Sequence, residues 1–151
     1  MRKWTQEQID AQRYLQRYEH ADRRAKSLER EYKREEELID AVRSTADVDG
    51  LPKSKGIKKE TEERAIRLAD KAAEMKIATL DALHERQEVA ETIFAVKDDD
   101  AREVLAERYI NYNQTWEEIC VKISFSWNRA HRAHRRGLTA IHEIMGTQDM
   151  A

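Results

Sequence analysis

The stretch "TWEEICVKISFSWNRAHRAHRRGL", residues 115–138, predicts two helices separated by a tight turn. Thr115 followed three residues later by Glu118 is the pattern of a capping box, in which side chains at a helix start bond its free amide groups. Ser126 is placed to cap a second, longer helix, which we expect to end at Gly146. A short helix, a tight turn and a longer helix are typical of a helix-turn-helix.

Residues around the predicted turn fit this pattern at most positions. Cys120 is a small residue at the point where the two helices of such a motif cross closely. Ala130, four residues after Ser126, is placed on the packed side of the second helix. Ser124 stands where such turns usually have a glycine with positive φ, and a residue with a side chain costs about 1 kcal/mol there. The alternative is an ordinary helical corner that binds no DNA.

Charge on the second helix favours an anionic partner. The whole chain has a formal net charge of only −2, so the argument depends on where the charge lies. A solvated helix normally mixes charges of both signs, which form pairs one turn apart. Here the charged side chains between residues 119 and 142 are all basic: Lys122, Arg129, Arg132, Arg135 and Arg136. Four arginines without a carboxylate among them predict contact with DNA phosphate.

The first turn of the second helix, residues 126–129, is the part that enters the major groove in a helix-turn-helix. Arginine suits bidentate contact with guanine, and an asparagine such as Asn128 suits adenine. We expect Arg135 and Arg136 to continue the phosphate-facing side of this helix, with the opposite side packed on the domain's own core.

The N-terminal part predicts a long helix over residues 5–43, with Thr5 and Gln8 as its capping box. Apolar residues recur there at intervals of three and four, interrupted only by Glu35, as in a coiled coil. These positions are Ala11, Tyr14, Tyr18, Ala21, Ala25, Leu28, Tyr32, Ile39 and Val42.

A loop and a second long helix are predicted next. The stretch "STADVDGLPKSKGIKKET", residues 44–61, contains two glycines and a proline, which are typical of a loop. A helix to about Lys97 follows, and its equal length favours an antiparallel hairpin; dimerisation through the same faces is the alternative. Its main apolar stripe is Ile66, Ala69, Ala73, Leu80, Leu83, Ala90 and Phe94. A second stripe is predicted to widen the buried face: Leu68, Ala72, Met75, Val89, Ile93 and Val96.

The stretch "KDDD", residues 97–100, marks a boundary, because Asp99 or Asp100 can cap a third helix. The apolar face of that helix is Val104, Leu105, Tyr109 and Ile110, and "NYNQ" after it predicts a turn. We therefore expect an all-α protein with two domains. Residues 1–97 form a helical hairpin that serves oligomerisation, and residues 98–151 form a DNA-binding helix-turn-helix.

Composition excludes several classes of protein. Charged residues make up 38% of the chain and mean hydropathy is −0.92. No window approaches the roughly 18 apolar residues that a membrane-spanning helix needs, so we expect none. The single cysteine allows no internal disulfide, which fits a reducing cytoplasm, and the N-terminus has no signal peptide. Because no glycine-rich phosphate loop or nucleophile elbow is present, we expect neither enzyme activity nor a cofactor.

The C-terminal part, residues 101–144, resembles region 4 of sigma-70-type factors and, more closely, the RinA/ArpU family of phage late-gene transcriptional regulators. The shared positions are Leu105, Arg108, Tyr109, Trp116, Ile119, Ser126, His134 and Leu138. "YLQRYEHADRRAKSLEREY" (residues 14–32) and "DGLPKSKG" (residues 49–56) extend the resemblance more loosely. It implies a regulator in the bacterial cytoplasm that binds promoter DNA beside RNA polymerase and activates late genes of a phage or prophage.

The resemblance also implies roles for single residues. Three positions fall where region 4 contacts bases: Trp127, Asn128 and Arg132. Arg129 and His131 fall where it contacts the DNA backbone, and Thr115 begins the helix that abuts the phosphates. Two departures, Gly137 in place of alanine and Ala130 in place of a larger aliphatic residue, are expected to lighten the packing of the recognition helix.

Several residues have a second interpretation. Trp127 either contacts DNA or folds back onto Tyr109 or Tyr112. His131, His134 and Cys120 are too few ligands for a structural zinc site, so we predict no metal. For the whole chain, the alternatives to a transcriptional regulator are a DNA-packaging protein like a small terminase subunit and a helical module that binds only protein.

Overall fold

The computed structural model describes residues 3–48 and 55–149, and these residues form helices joined by short turns, with no strand among them. The all-α class predicted from the sequence is therefore confirmed. The helices are α1 (Gln6–Leu15), α2 (Arg17–Val48), α3 (Lys55–Phe94), α4 (Asp99–Leu105), α5 (Trp116–Ile123) and α6 (Trp127–Asp149), and a π-helical turn (Ala106–Ile110) follows α4.

Helix α1 begins at the predicted capping box. The hydroxyl of Thr5 accepts the Gln8 amide at 3.2 Å, and the Gln8 side chain accepts the Thr5 amide at 3.1 Å. The single helix predicted over residues 5–43 is divided at Gln16, whose amide is shared between the carbonyls of Gln12 and Tyr14. All the predicted seam positions, including Glu35, are buried or half-buried, so the seam is confirmed as the packed side of α1 and α2.

The loop predicted over residues 44–61 is too long. Helix α2 continues to Val48 and α3 begins at Lys55, while Gly50 and Pro52 lie outside the described residues. Gly56 belongs to the first turn of α3, where backbone amides lack partners in any case and a glycine costs only about 1 kcal/mol. The surrounding lysines and glutamates are good helix formers, and they extend both helices into the predicted loop.

The buried face of α3 is narrower than the sequence predicted, because only one of the two apolar stripes is packed. The stripe predicted as the main apolar face is largely exposed: Ile66 is 63%, Leu80 57% and Phe94 67% accessible. The second stripe is the packed one, and Val89 and Ile93 are fully buried. Ala78, which lies between the two parts of this stripe, is also buried. Helix α3 also ends at Phe94 rather than at residue 97.

At its C-terminal end the chain departs from the prediction again. We expected α6 to stop at Gly146, but the helix continues to Asp149. Ile144 and Met145 pack against the core on one side of this last part, and the Thr147 hydroxyl bonds the Glu143 carbonyl at 3.0 Å. These contacts outweigh the modest helix penalty of one glycine.

The chain divides into two compact units. One contains residues up to His20 together with those from Ala82 onward, and the other contains Ala21–Asp81. This grouping differs from the predicted division at residue 97, because α1 packs against α6 and shares its core. The core of the first unit consists of Ala11, Leu15, Val89, Ile93, Val96, Ala101, Leu105, Tyr109, Leu138 and Ile141.

In the first unit, contacts with α3 follow an antiparallel order. The Tyr14 hydroxyl lies 2.9 Å from that of Thr92, and Arg17 lies 2.9 Å from Glu88. In the second unit Lys71 lies 3.8 Å from Glu31. The hairpin as a whole stays a prediction.

Candidate nucleic-acid interface

Helix α5 ends in the turn geometry that the sequence predicted. Ser124 has φ 59° and ψ 40°, in the left-handed region, and its amide bonds the carbonyls of Cys120 and Val121. The next amide, of Phe125, bonds the Cys120 carbonyl at 3.0 Å. Because a serine accepts this conformation at a cost of about 1 kcal/mol, the packing around the turn must stabilise it.

Both helices of this region begin with a side-chain cap. The Thr115 hydroxyl accepts the Glu118 amide at 3.2 Å, and the Ser126 hydroxyl accepts the Arg129 amide at 3.2 Å. Of the two hydrogen bonds of a capping box, the described structure of α5 has the one to the Thr115 hydroxyl but not the one from the Thr115 amide to the Glu118 side chain. The start of α4 is capped by Asp98, which accepts the Ala101 amide at 3.1 Å, and not by Asp99 or Asp100 as predicted.

The inner side of α6 packs closely on α4. Ala130 is fully buried in a cluster with Val104 and Phe125. A Cβ atom on Gly137 would lie 2.8 Å from Leu105 Cδ1 and 3.3 Å from Ala101 Cβ. The expectation that Gly137 loosens the packing is therefore wrong, because the glycine is what allows α4 and α6 to approach each other.

His134 belongs to the core beneath α6. It is 1% exposed, its Nε2 atom lies 2.7 Å from the Tyr109 hydroxyl, and its ring packs against those of Trp4 and Trp116. Burial lowers the pKa of His134 to about 3, and the positive charge of Arg108 acts in the same direction. The imidazole is therefore neutral in the folded protein at ordinary pH.

Trp127 and His131 form a tilted aromatic contact beside the helix start. The His131 ring lies 4.2 Å from the ring of Trp127 and 4.3 Å from the ring of Trp116. Burial, together with Arg135 and Arg108, lowers the pKa of His131 and favours its neutral form. Trp127 is 54% exposed, so its free face is open to solvent while its other face is held by His131.

The outer side of α6 carries the remaining predicted site residues. Asn128, Arg129, Arg132 and Arg136 are exposed, and Arg135 is half-buried. Spacings of four residues place Asn128, Arg132 and Arg136 on one side of the helix. The structure thus brings the predicted base-reading and phosphate-binding residues of α6 to one solvent-facing surface.

Two of these arginines already have carboxylate partners, which the sequence interpretation missed. The Arg129 guanidinium bonds both oxygens of Asp100 at 2.9 Å, and Arg136 Nε bonds Asp98 Oδ2 at 2.8 Å. These hydrogen bonds lower the pKa of both carboxyl groups. The inference that all four arginines require an external anion is therefore wrong for Arg129 and Arg136. The pairing spans 29 and 38 residues, so no local pattern could have shown it.

The described part of the chain contains no group of three or more potential metal ligands. None of its described helices combines the length and the apolar character that a membrane span requires.

The fold and this surface define an all-α protein with a capped helix whose outer side is basic. The chain belongs to the family described as "Protein of unknown function (DUF1492)", whose model matches residues 42–142. The matched range includes α4, α5 and most of α6. No curated protein and no solved structure matches the chain.

Proposed function

We propose that the chain is a sequence-specific DNA-binding transcriptional regulator and that α5 and α6 act as its helix-turn-helix. The observation that carries this proposal is Arg132, which is exposed on the outer side of a capped helix and forms no ion pair with a described carboxylate. Asn128 lies one turn before it on the same side. An arginine and an asparagine in this relation match the donor and acceptor patterns of guanine and adenine.

The proposed mechanism separates base reading from phosphate binding. Asn128 and Arg132 contact base edges in the major groove of double-stranded promoter DNA, and Arg135 contacts phosphate. The capped starts of α5 at Thr115 and of α6 at Ser126 orient the two helices. The exposed face of Trp127 is available for apolar contact with a thymine methyl or a sugar.

Activation of phage or prophage late genes beside host RNA polymerase is the biological role that we propose. It rests on the resemblance of residues 101–144 to RinA/ArpU-type regulators, and residue identities such as Trp116 and His134 support that resemblance. The tight packing of both side chains under α6 agrees with a rigid helix that reads DNA. A bacterial cytoplasm is the compartment that this role requires.

Footprinting on late-gene promoter fragments tests the proposal. We expect protection of a short duplex site, and Arg132→Ala should then relax the preference at one base pair, at a cost of about 1–3 kcal/mol. An equal loss on every sequence would show that Arg132 contacts phosphate only. Protection confined to packaging sites, with a ring-shaped oligomer by native mass spectrometry, would favour the small-terminase alternative.

A helical protein-interaction module is the second candidate function. It is favoured by the exposed apolar side chains of α3, among them Ile66, Ile77 and Leu80, because exposed apolar surface often marks a binding site. This candidate predicts no retardation of any promoter fragment and no salt-dependent affinity.

The same side chains also suit a homo-oligomer, which the DNA-binding proposal includes. Ile66, Ala69, Ala73, Ile77 and Leu80 are all exposed and follow spacings of three and four residues. If two chains pair antiparallel about Ala73, each alanine at position 69 lies opposite the isoleucine at position 77. Such self-complementarity suits a two-fold dimer, and a dimer presents two recognition helices to two half-sites.

A further inference from the structure

The carboxylates that hold Arg129 and Arg136 come from one place, the start of α4. Asp100 forms a two-point contact with Arg129, and Asp98 contacts Arg136. Arg129 and Arg136 are seven residues apart, two helical turns, and therefore occupy the same side of α6. The ion pairs thus form a row along the edge of α6 that faces α4.

Arg132 and Arg135 differ from the paired arginines. In the sequence they lie between Arg129 and Arg136. On the helix surface, Arg132 lies near the middle of the outer side and Arg135 lies towards the edge away from α4. Among the residues that the structure describes, no carboxylate forms an ion pair with either of them. Two of the four arginines of α6 therefore form ion pairs with α4, and the other two form none with a described carboxylate.

We propose that Asp98 and Asp100 determine the specificity of DNA binding by holding Arg129 and Arg136 against α4, so that Arg132 and Arg135 supply the contacts to DNA. This inference rests on the proposed DNA-binding function and names two residues outside the helix-turn-helix that regulate it. The carboxylates lower affinity for DNA of any sequence, because they neutralise two guanidinium groups that would otherwise contact phosphate. The contacts made to bases by Asn128 and Arg132 are left in place.

Salt dependence distinguishes this role from a purely structural one. Each phosphate contact adds about 0.9 to the slope of log affinity against log salt. Releasing two arginines should therefore steepen that slope by up to about 2, which is roughly a further tenfold loss of affinity between 50 and 200 mM salt. A pair that only stabilises the fold would leave the slope unchanged.

The test compares variants that remove charge and keep shape. Asp98→Asn retains the helix cap, because asparagine caps as well as aspartate does, and Asp100→Asn is isosteric. Asp99→Asn is the control for each single substitution: it changes net charge by one, as each of them does, but Asp99 pairs with Arg102 of its own helix. Binding to a footprinted fragment and to an unrelated duplex is measured by fluorescence anisotropy from 50 to 300 mM salt.

We expect the variant with both Asp98→Asn and Asp100→Asn to bind the unrelated duplex at least tenfold more tightly at low salt. Its slope of log affinity against log salt should be steeper. The ratio of its affinities for the footprinted fragment and the unrelated duplex should be smaller. Asp99→Asn should remain close to the wild type. Equal slopes for the double variant and Asp99→Asn, with DNA binding by the wild type intact, would overturn this inference alone. A lack of binding by every form at every salt concentration would overturn the proposed function with it.

A second set of variants keeps the test independent of any change at the start of α4. Replacing both Arg129 and Arg136 with glutamine should leave the salt slope of the wild type nearly unchanged, because these side chains are already paired. Arg132→Gln should reduce it by about 1 if the side chain contacts phosphate, or reduce the preference for the footprinted fragment if it contacts a base. A fall of about 2 in the slope for the first variant would contradict the proposal.

Discussion

The Tyr109 hydroxyl lies 2.7 Å from Nε2 of His134, inside the core beneath α6. Both residues are almost fully buried, and burial raises the pKa of Tyr109 to about 12. The phenol is thus neutral and able to donate to the imidazole, which ties the π-helical turn to the middle of α6. Because both groups are buried, loss of this contact leaves the imidazole nitrogen without a partner.

Tyr109→Phe should lower the free energy of unfolding by about 1–3 kcal/mol, because His134 Nε2 would then be buried without a hydrogen bond. Urea unfolding followed by circular dichroism measures this change. Tyr32→Phe is the control: Tyr32 is half-buried and makes no hydrogen bond among those described, so its loss should change stability by less than about 0.5 kcal/mol. Equal effects of the two substitutions would contradict the importance of this bond.

Stability should fall as pH drops from about 6.5 towards 4.5. An unfolded histidine binds a proton near pH 6.5, whereas burial keeps the pKa of folded His134 at about 3. The unfolded state therefore takes up the proton first, and each pH unit below 6.5 costs about 1.4 kcal/mol for this one group. His131 shifts in the same direction and adds to the loss.

The titration of Asp98 and Asp100 does not overlap the loss of stability expected between about pH 6.5 and 4.5. The lowered pKa values of Asp98 and Asp100 mean that these groups lose their stabilising charge only at lower pH, below the usual carboxyl range. Urea unfolding at intervals of half a pH unit measures the slope, and imidazole ¹⁵N chemical shifts report the charge of His134 directly. A His134 side chain that titrates near pH 6.5 in the folded protein would contradict its assigned burial.

The two described glycines of α6 should respond oppositely to the same change. Gly137→Ala forces a methyl group into Leu105 Cδ1 at 2.8 Å, and overpacking of this kind costs about 1–3 kcal/mol, more than the helix propensity gained. Gly146→Ala meets nothing within 4 Å and should stabilise the protein by up to about 1 kcal/mol. Thermal unfolding of both variants gives the comparison, and a gain for Gly137→Ala would show that the Leu105 side chain or α4 can move aside.

Local patterns predicted what depends on neighbours in sequence. The caps at Thr5 and Ser126 and the left-handed residue Ser124 follow from chemistry within a few positions, and all three are confirmed. The face of α3 was not determined in this way, because two apolar stripes compete on one helix and only packing decides between them. Ion pairs such as Arg129 with Asp100 depend on the approach of α4 to α6, which no periodicity contains.

Self-association should depend on the exposed stripe of α3. Replacing Ile66, Ile77 and Leu80 with glutamine removes apolar surface that is already exposed, so we expect the free energy of unfolding of a monomer to change by less than about 0.5 kcal/mol per site. Light scattering over a hundredfold range of concentration should show a dimer of the wild type and a monomer of the variant. Leu38→Gln, at an exposed position of α2 outside the stripe, is the control and should leave the dimer intact. A wild type that is monomeric throughout that range would contradict self-association through α3, and would leave a protein partner as the alternative occupant of the stripe.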